Sequence, residues 1–362
     1  MTEWRECKFG EIATFSYGKM PNKKNIVNCG YPIFSGYKIV GYYNSYMYED
    51  PQLIIVARGD GTGDVKISPP KSYITNLSII AEVHPGKANK KFLYYYFKIN
   101  NLRELDSGSA QSQITINDLN NYCITLPPLP EQKAIAEVLS SLDDKIDLLT
   151  RQNKTLEDLA QAYFRKWFIE DASDKWEEKG LDEIADFLNG LPLQKYPYKT
   201  GNPLHVIKIK ELNNGFTDSS DLCSADIPEQ YIVHPGDVIF SWSGSLKVDI
   251  WKYGKGALNQ HLFKVTSCNY PKWFYYFWIK YHLPEFKMIA ESKATTMGHI
   301  QRRDLSNAIV LVPENQEINN MDNIMSPLIK KIEQNNAQIL VLQKLRDTLL
   351  PKLISGEIRV KM

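Results

Sequence analysis

The residues that could carry catalysis occur only as fragments. Ser68-Pro-Pro-Lys71 has the outline of the Ser/Asn/Asp-Pro-Pro-aromatic tetrapeptide used in methyl transfer to amino groups. Lys71, however, stands where the stacking ring is needed, and no glycine-rich cofactor loop precedes it. Asp50 followed by Asp64-Val-Lys66 fits the carboxylate and carboxylate-x-lysine pattern of Mg-dependent nucleases, in which acids hold the metal and lysine supports the attacking water. The histidines, His84, His205, His234, His261, His282 and His299, join no cysteine or serine motif, and no G-x-x-x-x-G-K phosphate loop is present. Polar loops offer binding chemistry instead. Arg58-Gly-Asp-Gly-Thr-Gly-Asp64 and Ser243-Gly-Ser-Leu-Lys247 follow short apolar runs, and Ser107-Gly-Ser-Ala-Gln-Ser-Gln-Ile114 has a counterpart in Ser292-Lys-Ala-Thr-Thr-Met-Gly-His-Ile300. Hydroxyls and amides beside glycine can reach base edges or phosphates, or form solvated turns.

The elements that must position these loops are two long helices. Over residues 130–168 the apolar steps Leu139, Leu142, Ile146, Leu149, Leu156, Ala160, Tyr163 and Trp167, with Asn153 as the polar step, make a heptad seam. A helix of that span is roughly 57 Å long, which a compact domain cannot bury. Residues 316–353 repeat the rhythm with Met325, Leu328, Ile332, Ile339, Leu342, Leu349 and Leu353, interrupted by Asn335 and Arg346. Each seam therefore has a partner in the same chain, and a buried Asn fixes register at some loss of stability.

The repeat extends beyond the helices. Trp4, Glu11, Ile12, Ala13, Phe15 and Gly18 recur as Trp176, Glu183, Ile184, Ala185, Phe187 and Gly190, a shift of 172 (176 − 4). Further on, Leu142 and Ile146 fall on Leu328 and Ile332, a shift of 186 (328 − 142). The plan is globular domain, helix, globular domain, helix: residues 1–129, 130–170, 174–314 and 315–362. The fold class is α+β, with short buried strands near residues 51–57 and 237–242 and aromatic helices after Lys91 and Pro271 packed on the sheet.

Composition excludes several classes. Apolar residues make up 43% and charged residues 23% of 362, as in ordinary soluble proteins of two or more domains. No run reaches the ~20 apolar residues of a membrane span, and Met1-Thr-Glu-Trp-Arg-Glu6 has no apolar signal core. Five scattered cysteines read as reduced thiols, so a cytoplasmic location is expected. A net charge of +1 means that any nucleic-acid contact relies on local basic patches.

Three motifs and the duplicated order resemble the specificity subunit of type I restriction-modification systems over essentially the whole chain. They are Leu126-Pro-Pro-Leu-Pro-Glu-Gln132 opening the first helix, Phe164-Arg-Lys-Trp-Phe168 closing it, and the tail Leu349-Leu-Pro-Lys-Leu-Ile-Ser-Gly-Glu-Ile-Arg359. The second helix departs from the pattern, beginning at Pro313-Glu-Asn-Gln-Glu317 without the proline-rich opening. The resemblance implies two α/β target-recognition domains separated by an antiparallel coiled coil with pseudo-twofold repeat. Each domain reads half of a bipartite asymmetric site in double-stranded DNA. It also implies no cofactor on this chain: two adenine methyltransferase subunits hold S-adenosylmethionine, and two restriction-translocase subunits use ATP and Mg. Phe164, Trp167 and Phe168 become candidate docking residues for those partners, or else pack on the adjoining domain.

Within that frame the expected base readers are Arg58, Thr62, Lys66, Ser109, Gln111 and Gln113 in the first copy. In the second they are Trp242, Ser243, Ser245, Lys247, Thr295, Thr296, His299, Gln301 and Arg302. Lys19, Lys23, Lys24, Lys38, Lys208 and Lys210 are expected on phosphates. The alternative is a stand-alone Mg-dependent DNA endonuclease using Asp50, Asp64 and Lys66.

Overall fold

A computed structural model describes residues 4–106, 112–292 and 298–360. Packing divides the chain into unit 1, Met1–Ile146 with Leu342–Met362, and unit 2, Asp147–Val341. Both divisions fall inside a helix.

Unit 1 holds strands β1 (Arg5–Lys8), β2 (Ala13–Tyr17), β3 (Ile26–Val27), β4 (Tyr31–Ser35), β5 (Lys38–Tyr43), β6 (Leu53–Val56), β7 (Val65–Ile67), β8 (Tyr73–Ile74), β9 (Ser78–Val83) and β10 (Cys123–Leu126). Its helices are α1 (Phe9–Ile12), α2 (Lys90–Ile99), α3 (Ile116–Asn121) and the start of α4 (Leu129–Arg165). The main sheet has the order β2-β9-β6-β7, all antiparallel, and a smaller sheet has the order β3-β5-β4-β8.

Unit 2 repeats the plan with β11 (Glu177–Gly180), β12 (Asp186–Asn189), β13 (Leu204–Ile207), β14 (Leu222–Cys223), β15 (Ile232–Val233), β16 (Val238–Ser241), β17 (Lys247–Ile250), β18 (Gly256–Leu258), β19 (Leu262–Thr266) and β20 (Ile309–Val312). Helices α5 (Leu181–Ile184), α6 (Ile209–Asn214), α7 (Lys272–Ser292), α8 (Arg302–Ser306) and the start of α9 (Asn315–Ile354) complete it. Its main sheet, β12-β19-β16-β17, has the topology of the first, and β11 pairs β20 as β1 pairs β10. The small sheets diverge at an edge: β3 pairs β5 in unit 1, whereas β15 pairs the parallel-bonded β18 in unit 2.

The central strands show why the apolar runs are unbroken. Leu53 and Ile55 of β6 point into the cluster containing Phe92 and Leu93 of α2, while Ile54 points into a second cluster with Phe34, Ile74 and Ile80. Val238 and Phe240 of β16 join the α7 aromatics, and Ile239 faces Ile207 and Leu258. A strand covered on both faces loses the alternation of a half-buried one.

The helix seams pack within each unit. In unit 1, Ile135, Ala136 and Leu139 of α4 share a core with Leu350, Leu353 and Ile354 of α9, and Asp143 pairs Arg346 at 2.7 Å. In unit 2, Ala160, Phe164 and Phe168 meet Ile329, Met325 and Ile318. Rising numbers on α4 meet falling numbers on α9, so the pairing is antiparallel. The polar steps also meet: Asn335, 1% exposed, donates to Gln152 Oε1 at 3.0 Å and Asn153 Oδ1 at 2.8 Å, and Asn153 donates to Asn336 at 2.8 Å. The proline-rich opening of α4 has a physical role too. Gln132 is buried, accepts from Asn89 N at the start of α2 and donates to Pro127 O, both at 2.9 Å. Among the described residues no helix is long and apolar enough to cross a membrane.

Candidate nucleic-acid interface

In unit 1 the chain leaves β6, turns and returns as β7. The turn is held from inside: Thr62 donates its hydroxyl to Gly59 O at 2.7 Å, and Asp64 N donates to Gly61 O at 2.9 Å. Arg58 bridges Gln113, and Ile114 N donates to Ala57 O at 3.0 Å, so the loop after β6 meets the segment before α3. Asp106 fastens that segment, accepting from Gln113 N at 2.8 Å and from the Ser112 hydroxyl. A cleft of about 660 Å³ opens at the junction, lined by Arg58, Asp60, Leu77, Arg103, Asp106 and Ser112.

Unit 2 builds the same junction. Ser243 bridges His299, Ile300 N donates to Trp242 O at 3.0 Å, and Gly244 N donates to Gly298 O at 2.8 Å. The Trp242 indole donates to Asn189 Oδ1 at 3.0 Å and lies 5.8 Å from the Phe263 ring. Arg302 donates to Phe187 O at 3.2 Å, with its guanidinium 5.9 Å from the Phe263 ring. Asn189, Trp242, Phe263, His299, Gln301 and Arg302 line a cleft of about 330 Å³. Aromatic faces with amide and guanidinium donors suit stacking and base-edge contacts.

The structure thus brings Arg58 beside Gln113, and gathers Trp242, His299, Gln301 and Arg302. Ser245 is exposed in its turn. Ser109, Gln111, Thr295 and Thr296 lie outside the described residues. Other expectations need correction. Thr62 and Ser243 are 1% and 3% exposed; Thr62 caps its own turn, and the Ser243 hydroxyl sits 3.1 Å from His261 Nδ1, so neither presents a hydroxyl to a ligand. Lys247 turns inward to Asp249 at 3.0 Å and Leu212 O at 3.2 Å. Lys66 lies away from the junction, in a cleft with Lys91, Tyr95 and Asp143. Lys19, Lys23, Lys24 and Lys38 are exposed around the small sheet of unit 1. In unit 2, Lys208 is paired with Asp221, and Lys210 donates to Ser219 at 2.7 Å.

Phe164 and Phe168 are 3% and 1% exposed in the unit 2 core, against Phe277, Trp278 and Phe274, which corrects the docking expectation for both. Trp167 is half-buried and stacks on Tyr163 at 5.2 Å. The nuclease fragment gains no support. Lys66 pairs across to Ile54 within the sheet, the unit 2 turn carries Ser245 and Lys247 at the equivalent place, and the described residues hold no group of three or more His, Cys, Asp or Glu suited to a metal.

Sequence reasoning missed Asp60, Arg103 and Asn189. Asn189 directly precedes the repeated Gly190, a signal that was available. Arg103 lies in a connection without a counterpart in the second copy, where no repeat could point to it.

The chain matches the family described as the type I restriction modification DNA specificity domain over residues 1–158 and 173–344. It is similar to the specificity subunit of the type I restriction enzyme MjaIX of Methanocaldococcus jannaschii, with 31% identity over 303 residues, 75% of this chain and 69% of that protein. The MjaVIII specificity subunit of the same organism is 22% identical over 402 aligned residues, covering 99% of this chain and 94% of that protein. In fold the chain is similar to the S subunit of a type I restriction-modification system from M. genitalium, with a TM-score of 0.69 and 20% identity over 99% of this chain and 96% of that one. Two matched segments spanning most of the sequence, on duplicated frames with duplicated loop junctions, establish that the chain belongs to the type I restriction modification DNA specificity family.

Proposed function

We propose that the chain is the non-catalytic specificity subunit of a type I restriction-modification complex, each unit reading one half of a bipartite, asymmetric site in double-stranded DNA. The observation that carries this reading is the doubled junction, Arg58 with Gln113 and Ser243 with His299, on matching frames with unlike side chains. Matching frames approach a duplex in the same way, and unlike side chains distinguish unlike bases. Gln113 and Arg58 in unit 1, and Trp242, Ser245, His299, Gln301 and Arg302 in unit 2, are the readers. The exposed Lys19, Lys23, Lys24 and Lys38 supply salt-sensitive phosphate contacts.

Helices α4 and α9 each run from one unit into the other, and in this reading they set the unread gap and present polar faces to the partners. The partners are two adenine methyltransferase subunits, which hold S-adenosylmethionine, and two restriction-translocase subunits, which use ATP and Mg. The compartment is the cytoplasm. Family membership supports these assignments. The test is genome-wide mapping of methylated adenines in a host with and without the gene. The expected result is one gapped motif with unlike halves that disappears with the gene; an unchanged methylation map overturns the proposal.

A further inference from the structure

The cleft of unit 1 mixes charges in a way that bears on what it reads. Arg58, Arg103 and Asp60 line it together, and none of the three forms an ion pair among the described residues. Arg103 is exposed, yet its backbone is fixed on three sides. Leu102 before it is fully buried, Asn101 Oδ1 accepts from Arg103 N at 2.8 Å, and Gly63 lies so close that a Cβ there would stand 2.6 Å from Arg103 N. The side chain reaches back across the turn, with Nη2 donating to Asp60 O. One carbonyl occupies one of five guanidinium N–H groups, which leaves most of the fork available.

We infer that Arg103 is a specificity-determining residue of unit 1, reading guanine in a G·C pair, with Asp60 accepting from the amino group of the paired cytosine. The inference rests on the proposed function. A phosphate is the other ligand that arginine favours, but Asp60 and Asp106 line the same cleft and offset the two guanidinium charges, which leaves no net attraction for an anion. A G·C edge matches both signs: guanine offers O6 and N7 as acceptors, and cytosine N4 donates. Exposed Leu77 at the cleft wall adds an apolar surface of the kind that meets a thymine methyl next to such a pair. Among the described residues unit 2 has no equivalent, because α7 continues unbroken and without arginine where unit 1 has α2, a break and the short turn Leu102–Leu105.

The experiment maps methylated motifs in hosts carrying the wild-type chain, Arg103→Ala, Arg103→Lys or Asp60→Asn, and measures binding of the corresponding complexes to duplexes altered at each motif position. Wild type alone tests the proposed function, since absence of a gapped motif would defeat that reading whatever the variants do. With a motif in hand, Arg103→Ala is expected to relax one G·C position by about 10- to 100-fold while the other half-site stays intact. Asp60→Asn should relax the same position less. Arg103→Lys keeps the charge without the fork and should relax it as well. An unchanged motif overturns the inference. Equal weakening on all sequences with a shallower salt dependence also overturns it, by making Arg103 a phosphate contact. Loss of methylation in both Arg103 variants counts against it too, by making the residue part of the framework.

Discussion

In unit 1 the turn after the central strand presents Arg58 beside Asp60 and Arg103, whereas in unit 2 the matching turn presents the Trp242 ring beside His299, Gln301 and Arg302. Beneath those unlike edges the frames agree closely. Gly18 N donates to Ser78 O at 3.1 Å and Gly190 N to Leu262 O at 3.0 Å, and a Cβ on either glycine would lie 2.2 Å from a backbone oxygen, of Thr75 or Asn259. Variation is tolerated at the junctions and not in the frame. Backbone contacts inside the frame leave no room for a side chain, while the junction is closed by backbone bridges that accept many side chains.

The largest test of this comparison lies in the cores. Phe168→Ala should destabilise unit 2 by about 3–5 kcal/mol, and its positional counterpart Ile354→Ala should destabilise unit 1 by about 2–5 kcal/mol, read from denaturant unfolding. If Phe168 served chiefly as a docking residue, the isolated chain would unfold unchanged. Next, Gly18→Ala and Gly190→Ala should each lose about 1–3 kcal/mol, because the new methyl group overlaps a carbonyl in either frame. Unequal losses would break the claimed equivalence of the two frames.

A smaller effect separates the polar ladder from the apolar seam. Asn335 Oδ1 has no partner among the described residues, so the ladder is incompletely satisfied. Asn335→Ala takes the donor from the half-buried Asn153 Oδ1 and should lose about 1–2 kcal/mol, whereas joint Asn153→Leu and Asn335→Leu should recover most of it in thermal unfolding.

The smallest effect is electrostatic and belongs to unit 2. Burial alone would raise the Glu157 carboxyl, but Lys280 Nζ at 2.5 Å and the Tyr276 hydroxyl at 3.2 Å outweigh it and hold the group below the ordinary carboxylate value of 4.5. A depressed folded pKa means that this stabilisation is fully present above about pH 4.5 and is lost as pH falls through the folded value. Glu157→Gln should therefore flatten the acid side of the unfolding profile and lower stability near neutrality by less than about 1 kcal/mol, the pair being partly exposed. A steeper acid limb in the variant would contradict that sign.

Much of the frame was legible in the residues. The seam could be read because a heptad period constrains composition over ten turns, and Trp4, Gly18 and their counterparts could be paired because frame contacts keep residue types in register. The seam's phase was less legible at its end. Tyr163 and Trp167 continue the heptad by counting, yet Phe164 and Phe168 are the buried pair, which is why those two take the packing alternative. The site was legible only as loops. Hydroxyls at Thr62 and Ser243 have the right chemistry, but their partners, Gly59 O and His261, are chosen by turn geometry that no spacing rule conveys.

If the two units read separate halves of one site through equivalent junctions, damage to one junction changes one half alone. Mapping methylated adenines in a host carrying His299→Ala with Gln301→Ala should show one half of the motif relaxed, with the other half and the gap as in wild type. A change in both halves together, or in neither, would mean that the junctions do not read separate halves.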